Sequence, residues 1–142
     1  MKYRKLWKPK ESALEDTKSL IILAKSILEA RDVIEKHKKY LLDEIIWKIT
    51  EVHGKYNQRF VSECVWNDEL PILEHVIERK KLIKQILENP YEVEKILISA
   101  RTCLVTREEH KRLKEADGWD RYKLAQIKVF DRLKQNWFDF NE

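Results

Sequence analysis

The sequence predicts a mainly helical α+β fold, in which a long N-terminal helix or helix pair precedes a small unit built from a hairpin and a helix. Apolar residues recur at helical spacing from Leu20 to Val52, which predicts the first part. Short, partly β-branched runs at 59–66 and 101–105 are typical of strands and predict the second. The high charged fraction, 38%, with abundant Lys and Glu, also favours helices.

The composition excludes several classes of protein. Only two Gly and three Pro occur in 142 residues, too few for a glycine-rich phosphate loop or a dinucleotide-binding fingerprint. The two cysteines, Cys64 and Cys103, form no Cys-x-x-Cys motif, so we expect neither a zinc knuckle nor a disulfide framework, and we expect a reducing, cytoplasmic location. No apolar run approaches about 18 residues, so no membrane span is expected. The net charge of +4 weakly favours an anionic partner.

The chain is expected to divide into a basic arm at 1–10, a helical segment at 11–54 and an α+β domain at 55–142. In the arm, Arg4, Lys5 and Lys8 alternate with aromatic residues, a mixture that can neutralise phosphates while stacking on bases. The alternative is a solvated arm whose Leu6 and Trp7 pack on the body of the protein.

The helical segment begins with Ser12-Ala13-Leu14-Glu15, a capping box that predicts a helix start near Ser12. A lysine run around His37 interrupts the apolar stripe, so the segment is one long helix or two helices with a break near His37. Gly54 is the expected C-cap. An unbroken helix would extend on the order of 60 Å. We therefore expect a homodimer or a protein partner to cover part of the stripe.

The α+β domain starts with a predicted strand at 59–66 and a loop at Asn67-Asp68-Glu69. The following stretch is ambiguous: a helix from Pro71 fits the apolar pattern, but so does a strand at 72–77 followed by a helix from about Arg79. Asn89-Pro90 predicts a further helix start, Asp117-Gly118 a turn and 127–130 a strand.

The clearest local signal is Thr106-Arg107-Glu108-Glu109, a second capping box. The Thr hydroxyl and the Glu carboxylate satisfy each other's backbone amides, so a helix should begin at Arg107 with His110 one turn into it. The preceding run, 101–105, predicts a buried strand that leads into this helix.

The dipeptide Glu74-His75, followed by Leu-Val-Thr-Arg-Glu-Glu-His at 104–110, resembles the HNH (ββα-metal) endonuclease family in a diverged form, over about residues 59–115. The resemblance implies a hairpin and helix around one divalent ion, Mg²⁺ or Mn²⁺. It implies that Glu74 and His110 are metal ligands and that His75 is the general base. A carboxylate suits such hard cations, and an imidazole can take a proton from water near neutral pH.

The expected function is nucleic-acid binding with metal-dependent phosphodiester cleavage. The expected phosphate contacts are basic residues of the arm and of the second half: Arg4, Lys5, Lys8, Arg79, Lys80, Arg101, Arg107, Lys111 and Arg112.

The chain departs from the family in three ways: a helical insert separates the two histidines, no asparagine clearly tethers the hairpin, and paired zinc-binding cysteines are missing. The alternative function is therefore a non-catalytic helical interaction protein, such as a phage or defence-system regulator.

Overall fold

The computed structural model describes residues 2–66, 70–114 and 116–141, and it confirms a mainly helical α+β fold. The chain forms two compact units. The helical unit contains Lys10–His53 and Glu78–Ala100, whereas the sheet unit contains Met1–Pro9, Gly54–Ile77 and Arg101–Glu142. The boundary between His53 and Gly54 lies within one residue of the expected cut at 54/55, but the other boundaries do not follow the expected division into 1–10, 11–54 and 55–142. The arm belongs to the sheet unit, and the segment 78–100 belongs to the helical unit.

Four helices make up the helical unit: α1 (Ala13–Glu29), α2 (Glu35–Thr50), α3 (Arg79–Glu88) and α4 (Val93–Ser99), the last preceded by a 3₁₀ turn at Pro90–Glu92. Consecutive helices pack on each other, and α4 returns to α1. Each helix contributes apolar side chains at helical spacing to the buried faces, which include Ile21, Ala24, Leu42, Ile46, Leu82, Ile86, Val93 and Leu97.

The first half is a pair of helices, and the break between them lies before His37. Helix α1 ends at Glu29, and α2 begins at Glu35. Between them Asp32 adopts φ 58°, a left-handed conformation that Asp tolerates better than most residues. Lys38 donates from Nζ to the carbonyl of Leu28 at 3.2 Å, satisfying one of the open carbonyls at the end of α1.

The expected helix starts are confirmed, with two differences in capping. Helix α1 begins at Ala13, although Ser12 has helical backbone angles (φ −76°, ψ −7°) and makes no side-chain capping bond. A cap residue normally has an extended backbone, so the Ser12 box does not form. Pro90 opens its 3₁₀ turn as expected, without a capping bond from Asn89.

The described residues of the sheet unit form five strands: β1 (Phe60–Ser62), β2 (Ile72–His75), β3 (Thr102–Val105), β4 (Val129–Asp131) and β5 (Asn136–Trp137). Their order is β2-β3-β1-β4-β5, and only β1 and β3 are parallel. Strand β1 is shorter than the predicted run at 59–66, and the loop predicted at 67–69 lies outside the described residues.

The ambiguous stretch is a strand followed by a helix. Strand β2 pairs antiparallel with β3, with Glu74 opposite Cys103 and His75 opposite Thr102. Helix α3 then begins at Arg79. The two strands of this pair are separated in sequence by α3 and α4, which belong to the helical unit.

Two short helices, α5 (Arg107–Arg112) and α6 (Trp119–Leu124), complete the sheet unit. Gly118 precedes α6 with φ 62° and ψ −152°, a conformation open in practice only to glycine. One apolar cluster includes strand residues and residues near these helices: Phe60, Val76, Cys103, Val105, Leu113, Tyr122, Ile127 and Val129. Trp119, Phe138 and Phe140 pack against it.

The helices of the described ranges offer no candidate for a membrane span, since each is too short or too polar.

Candidate functional site

Helix α5 is held against the sheet by its own capping box. Thr106 has an extended backbone, its hydroxyl accepts from the Glu109 amide at 3.1 Å, and Glu109 Oε1 accepts from the Thr106 amide at 2.9 Å. The predicted start at Arg107 is thereby confirmed. Glu109 Oε1 also accepts from the hydroxyl of Ser62 on β1 at 2.5 Å, and Glu109 is 1% exposed. The cap therefore also joins the helix to the sheet.

His110, the next residue of α5, contacts β2, which lies on the other side of β3 from β1. His110 Nδ1 lies 2.5 Å from Glu74 Oε2, and Glu74 stands on β2. The His110 side chain is 50% exposed, whereas that of Glu74 is 12% exposed. The structure therefore brings together two of the predicted site residues, although 36 positions separate them in the chain.

Glu74 has a second partner, Arg121 of α6. Arg121 Nη1 lies 3.2 Å from Glu74 Oε1, and the Arg121 side chain is only 3% exposed. The other terminal nitrogen, Nη2, donates to the carbonyls of His75 at 2.6 Å and Val76 at 2.9 Å. A guanidinium held at several points keeps the carboxylate in one place. We call Glu74, His110 and Arg121 the acid–histidine group.

His75 lies on the other face of β2. Successive side chains of a strand alternate between faces. Glu74 shares its face with Val76, a member of the apolar cluster, and meets α5. His75 is 7% exposed on the opposite face, next to the paired Thr102. The structure does not bring the His75 side chain to the acid–histidine group.

Several of the expected phosphate contacts are residues of α5 itself. An open cleft of about 770 Å³ lies between α5 and Cys64, which follows β1, and three cations and two carboxylates line it: Arg107, Lys111, Arg112, Glu108 and Glu109. All three cations are exposed, and Arg112 donates to the carbonyl of Ala125 at 3.0 Å. Arg101, before β3, is also exposed.

The arm packs on the sheet unit, and Arg4 is engaged there. Its guanidinium donates to the carbonyls of Ser62 at 3.2 Å and Glu63 at 3.0 Å. It also lies 5.2–5.3 Å from the ring centres of Trp66, Phe130 and Trp137. Burial lowers the pKa of Arg4. Its donors are therefore committed inside the protein.

The remaining basic candidates are spread over both units. Lys5 and Lys8 are exposed in the arm. Arg79 and Lys80 stand at the start of α3 in the helical unit, where Arg79 Nη1 pairs with Asp43 at 2.9 Å and Lys80 pairs with Glu78 at 3.4 Å.

Two side chains that the sequence analysis did not select, Arg121 and Ser62, complete the local structure. Arg121 lies in a short amphipathic piece between Trp119 and Tyr122, and Ser62 lies in a predicted strand. Their roles depend on partners at least 45 positions away in sequence, so no local pattern could have identified them.

The residues fit a carboxylate–imidazole pair better than a metal centre. Among the described residues, no three His, Cys, Asp or Glu side chains are arranged to hold an ion. Both Glu74 oxygens have partners, and one partner is a cation that would repel a metal ion. Comparison with protein-family models, with curated proteins and with solved structures finds no match.

Proposed function

We propose that this protein binds nucleic acid across the exposed side of α5 and that the acid–histidine group serves the cleavage of a phosphodiester bond. The observation that carries the proposal is the Glu74–His110 pair. It combines a fixed carboxylate with an imidazole that is half exposed. The HNH resemblance implies the same reaction, cleavage of a phosphodiester bond, but with His75 as the base and with Glu74 and His110 as metal ligands.

The pairing suits proton transfer at His110. When a neutral imidazole donates its Nδ1 proton to a carboxylate, the lone pair is left on Nε2. An imidazole in this form can take a proton from an attacking water or hydroxyl, and the carboxylate stabilises the imidazolium that results. Arg121 supports this arrangement because it fixes the other oxygen of Glu74.

The charge around α5 supports a phosphate-rich ligand. The cleft that contains Arg107, Lys111 and Arg112 lies on one flank of the helix, and His110 lies on the other. A helix with its side chains is about 10 Å wide, so a nucleic-acid strand that crosses the exposed side of α5 would contact both. Exposed cations of this kind bind phosphates without selecting a sequence.

The resemblance implies Mg²⁺ or Mn²⁺, and this remains a prediction. Glu74 would have to give up Arg121 or His110 before it could bind an ion, so we assign it the role of orienting His110. The cleavage assay therefore compares Mg²⁺, Mn²⁺ and a chelator.

The proposal is tested by cleavage of a supercoiled plasmid and of a labelled single-stranded RNA, with Mg²⁺, with Mn²⁺ and with a chelator. We expect wild-type protein to cleave at least one substrate. The His110→Ala variant should be slower by about 100-fold or more, because a general base typically contributes that much. Its affinity for the nucleic acid should change little, because a base acts mainly in the transition state.

The matched control is His37→Ala, which removes an exposed histidine of α2 and should cleave at the wild-type rate. If wild-type protein cleaves neither substrate under all three conditions, or if His110→Ala cleaves as fast as His37→Ala, the catalytic part of the proposal is wrong.

The exposed apolar side chains of α1 favour a second candidate function, association through the helical unit. Ile22 and Leu23, which are adjacent in α1, are 64% and 52% exposed, whereas most of the α2 stripe is buried. Exposed apolar clusters mark interaction surfaces. We propose a homodimer through α1. Light scattering should give the mass of two chains, and Ile22→Glu should give the mass of one; a monomeric wild-type protein would contradict this.

A further inference from the structure

A cleft of the helical unit lies between α2 and α3 and has a volume of about 1150 Å³. Its lining on α3 runs from Lys80 to Glu88, about two helical turns or roughly 12 Å. We call it the lysine cleft because five lysines line it: Lys36, Lys39, Lys80, Lys81 and Lys84. It shares no residue with the acid–histidine group.

The walls of the lysine cleft are positively charged. Three carboxylates also line it, but Asp43 is held by Arg79 at 2.9 Å. Glu35 and Glu88 lie 3.9 Å and 4.0 Å from Lys39 and Lys84, and all four side chains are more than half exposed. Exposed pairs at such distances contribute little, so these lysines remain able to attract an anionic partner.

The floor of the lysine cleft is largely apolar. Ile83 is 8% exposed, Leu87 is half-buried, and Tyr40 of α2 is 67% exposed at the edge. A second aromatic residue of α2, Trp47, is covered by the Arg79 guanidinium, which lies 4.3 Å from the ring centre. The cleft therefore offers aliphatic surface and a single open ring.

From this combination we infer that the lysine cleft binds an acidic, amphipathic helical segment of a partner protein. An aliphatic floor accommodates Leu or Ile side chains at i, i+3, i+4 and i+7 of such a segment. The lysines on both walls would then face its Asp and Glu side chains. A single-stranded nucleic acid would match the charge, but base stacking needs several open rings, and the cleft offers one.

Binding at the lysine cleft is independent of the proposed nucleic-acid cleavage, since it involves other residues, another unit and another class of ligand. Either one can fail while the other holds.

The test measures binding of the full-length protein to a fluorescein-labelled peptide of about 18 residues, with Leu at i, i+3, i+4 and i+7 and Glu or Ala elsewhere. A scrambled peptide of the same composition keeps the charge but loses the apolar stripe. An oligothymidylate of similar length tests the nucleic-acid alternative. Fluorescence anisotropy reports all three affinities at one salt concentration.

Two pairs of variants locate the binding. The double variant Lys39→Glu, Lys84→Glu reverses two charges of the cleft, whereas Lys48→Glu, Lys95→Glu makes the same change in net charge at exposed lysines outside it. Tyr40→Ala removes the ring at the edge, and Tyr91→Ala removes a fully exposed ring elsewhere in the unit. Both substituted tyrosines are exposed, so the fold should persist.

We expect the amphipathic peptide to bind at least about tenfold more tightly than the scrambled one. The cleft double variant should weaken that binding by about tenfold relative to its control, because two attractions become repulsions. Tyr40→Ala should weaken it by a smaller factor and Tyr91→Ala not at all. Equal binding of both peptides, no peptide binding, or a cleft variant that weakens only oligothymidylate binding would overturn the inference.

Discussion

Two carboxylates, Glu109 of α5 and Glu74 of β2, connect helix α5 to the sheet, and they differ in their exposure and in their partners. Glu109 points from α5 toward β1, where it is 1% exposed and receives the Ser62 hydroxyl and the Thr106 amide. Glu74 points from β2 toward α5, where it meets His110, whose ring is half exposed. Both carboxylates join the helix to the sheet, but only Glu74 is paired with an imidazole that is half exposed to solvent.

From this difference we infer a structural role for Glu109 and propose a chemical role for Glu74. The hydrogen bonds that Glu109 Oε1 accepts come from a hydroxyl and an amide, groups that do not titrate near neutral pH, so we expect this carboxylate to hold the helix in place. The partner of Glu74 is the imidazole of His110, which has two ring nitrogens that can donate or accept a proton. We therefore expect Glu109 variants to lose stability and Glu74 variants to lose activity.

The largest effect on stability is expected for Glu109→Ala. The substitution leaves the buried Ser62 hydroxyl and the Thr106 amide without their acceptor and also removes the capping box. Such losses together should lower the free energy of unfolding by about 3 kcal/mol. Urea denaturation measures it, and Glu108→Ala, at an exposed position of the same helix, should change stability by less than about 0.5 kcal/mol. A loss below about 1 kcal/mol would contradict a structural role for Glu109.

A loss of stability of up to about 3 kcal/mol is expected for Glu74→Ala, because the buried guanidinium of Arg121 loses its carboxylate but keeps its bonds to the carbonyls of His75 and Val76. Glu74→Gln should lose still less, because the amide oxygen can still accept a hydrogen bond. The same denaturation series gives both values. If Glu74→Ala proves more destabilising than Glu109→Ala, Glu74 serves the fold rather than the chemistry.

A third carboxylate, Asp131, is expected to affect how the stability of the protein depends on pH. It is 1% exposed and accepts from Arg59 Nε at 2.9 Å and Arg59 Nη2 at 2.7 Å. Burial raises the pKa of Asp131, but the hydrogen bonds from Arg59 and from the amides of Leu133 and Lys134 outweigh it and lower the pKa overall.

A lowered pKa in the folded state means that Asp131 contributes stability above its unfolded value of about 4 and that this contribution is lost as the pH falls further. Unfolding free energies measured between pH 2 and pH 6 should therefore decline on the acid side. We expect Asp131→Asn to be less stable at neutral pH and to show a flatter acid decline. An unchanged acid decline in this variant would show that other carboxylates cause it.

The smallest expected effect concerns the two cysteines, each of which lies near one of the compared carboxylates. Burial and the charge of Glu109 raise the pKa of the exposed Cys64, and burial raises the pKa of Cys103 opposite Glu74 well above its usual value. Alkylation should therefore modify Cys64 slowly and Cys103 only after unfolding. Glu109→Gln should speed the modification of Cys64 a few-fold in the folded protein. Rapid modification of Cys103 without denaturant would contradict its burial.

The two capping boxes show how far the sequence predicts the fold. Ser12-Ala13-Leu14-Glu15 and Thr106-Arg107-Glu108-Glu109 have the same pattern, and a helix starts at each. Only the second forms the box, and there the carboxylate also receives the Ser62 hydroxyl from another strand. Local patterns predicted where both helices start. The capping box forms only at Thr106, where Glu109 also accepts a hydrogen bond from Ser62 of β1, and that contact exists only in the folded sheet.

The candidate site shows the same limit. The stretch 71–77 fitted a strand and a helix equally well, because a short apolar run carries both periodicities. Its pairing with β3, nearly thirty positions away, makes it a strand. That pairing in turn places adjacent Glu74 and His75 on opposite faces. The sequence predicted Glu74 and His110 as site residues, but the face of His75 and the role of Arg121 required the sheet.

The central claim is that His110, oriented by Glu74, is the reactive group, and it is tested most directly by comparing Glu74→Gln with His75→Gln in one nucleic-acid cleavage assay. The two residues are neighbours in the chain and lie on opposite faces of β2. We expect Glu74→Gln to lower the cleavage rate by at least about tenfold, because the imidazole loses its orienting carboxylate. His75→Gln should cleave at a rate close to wild type after correction for its folded fraction. Loss of cleavage in His75→Gln together with a wild-type rate in Glu74→Gln would contradict the claim.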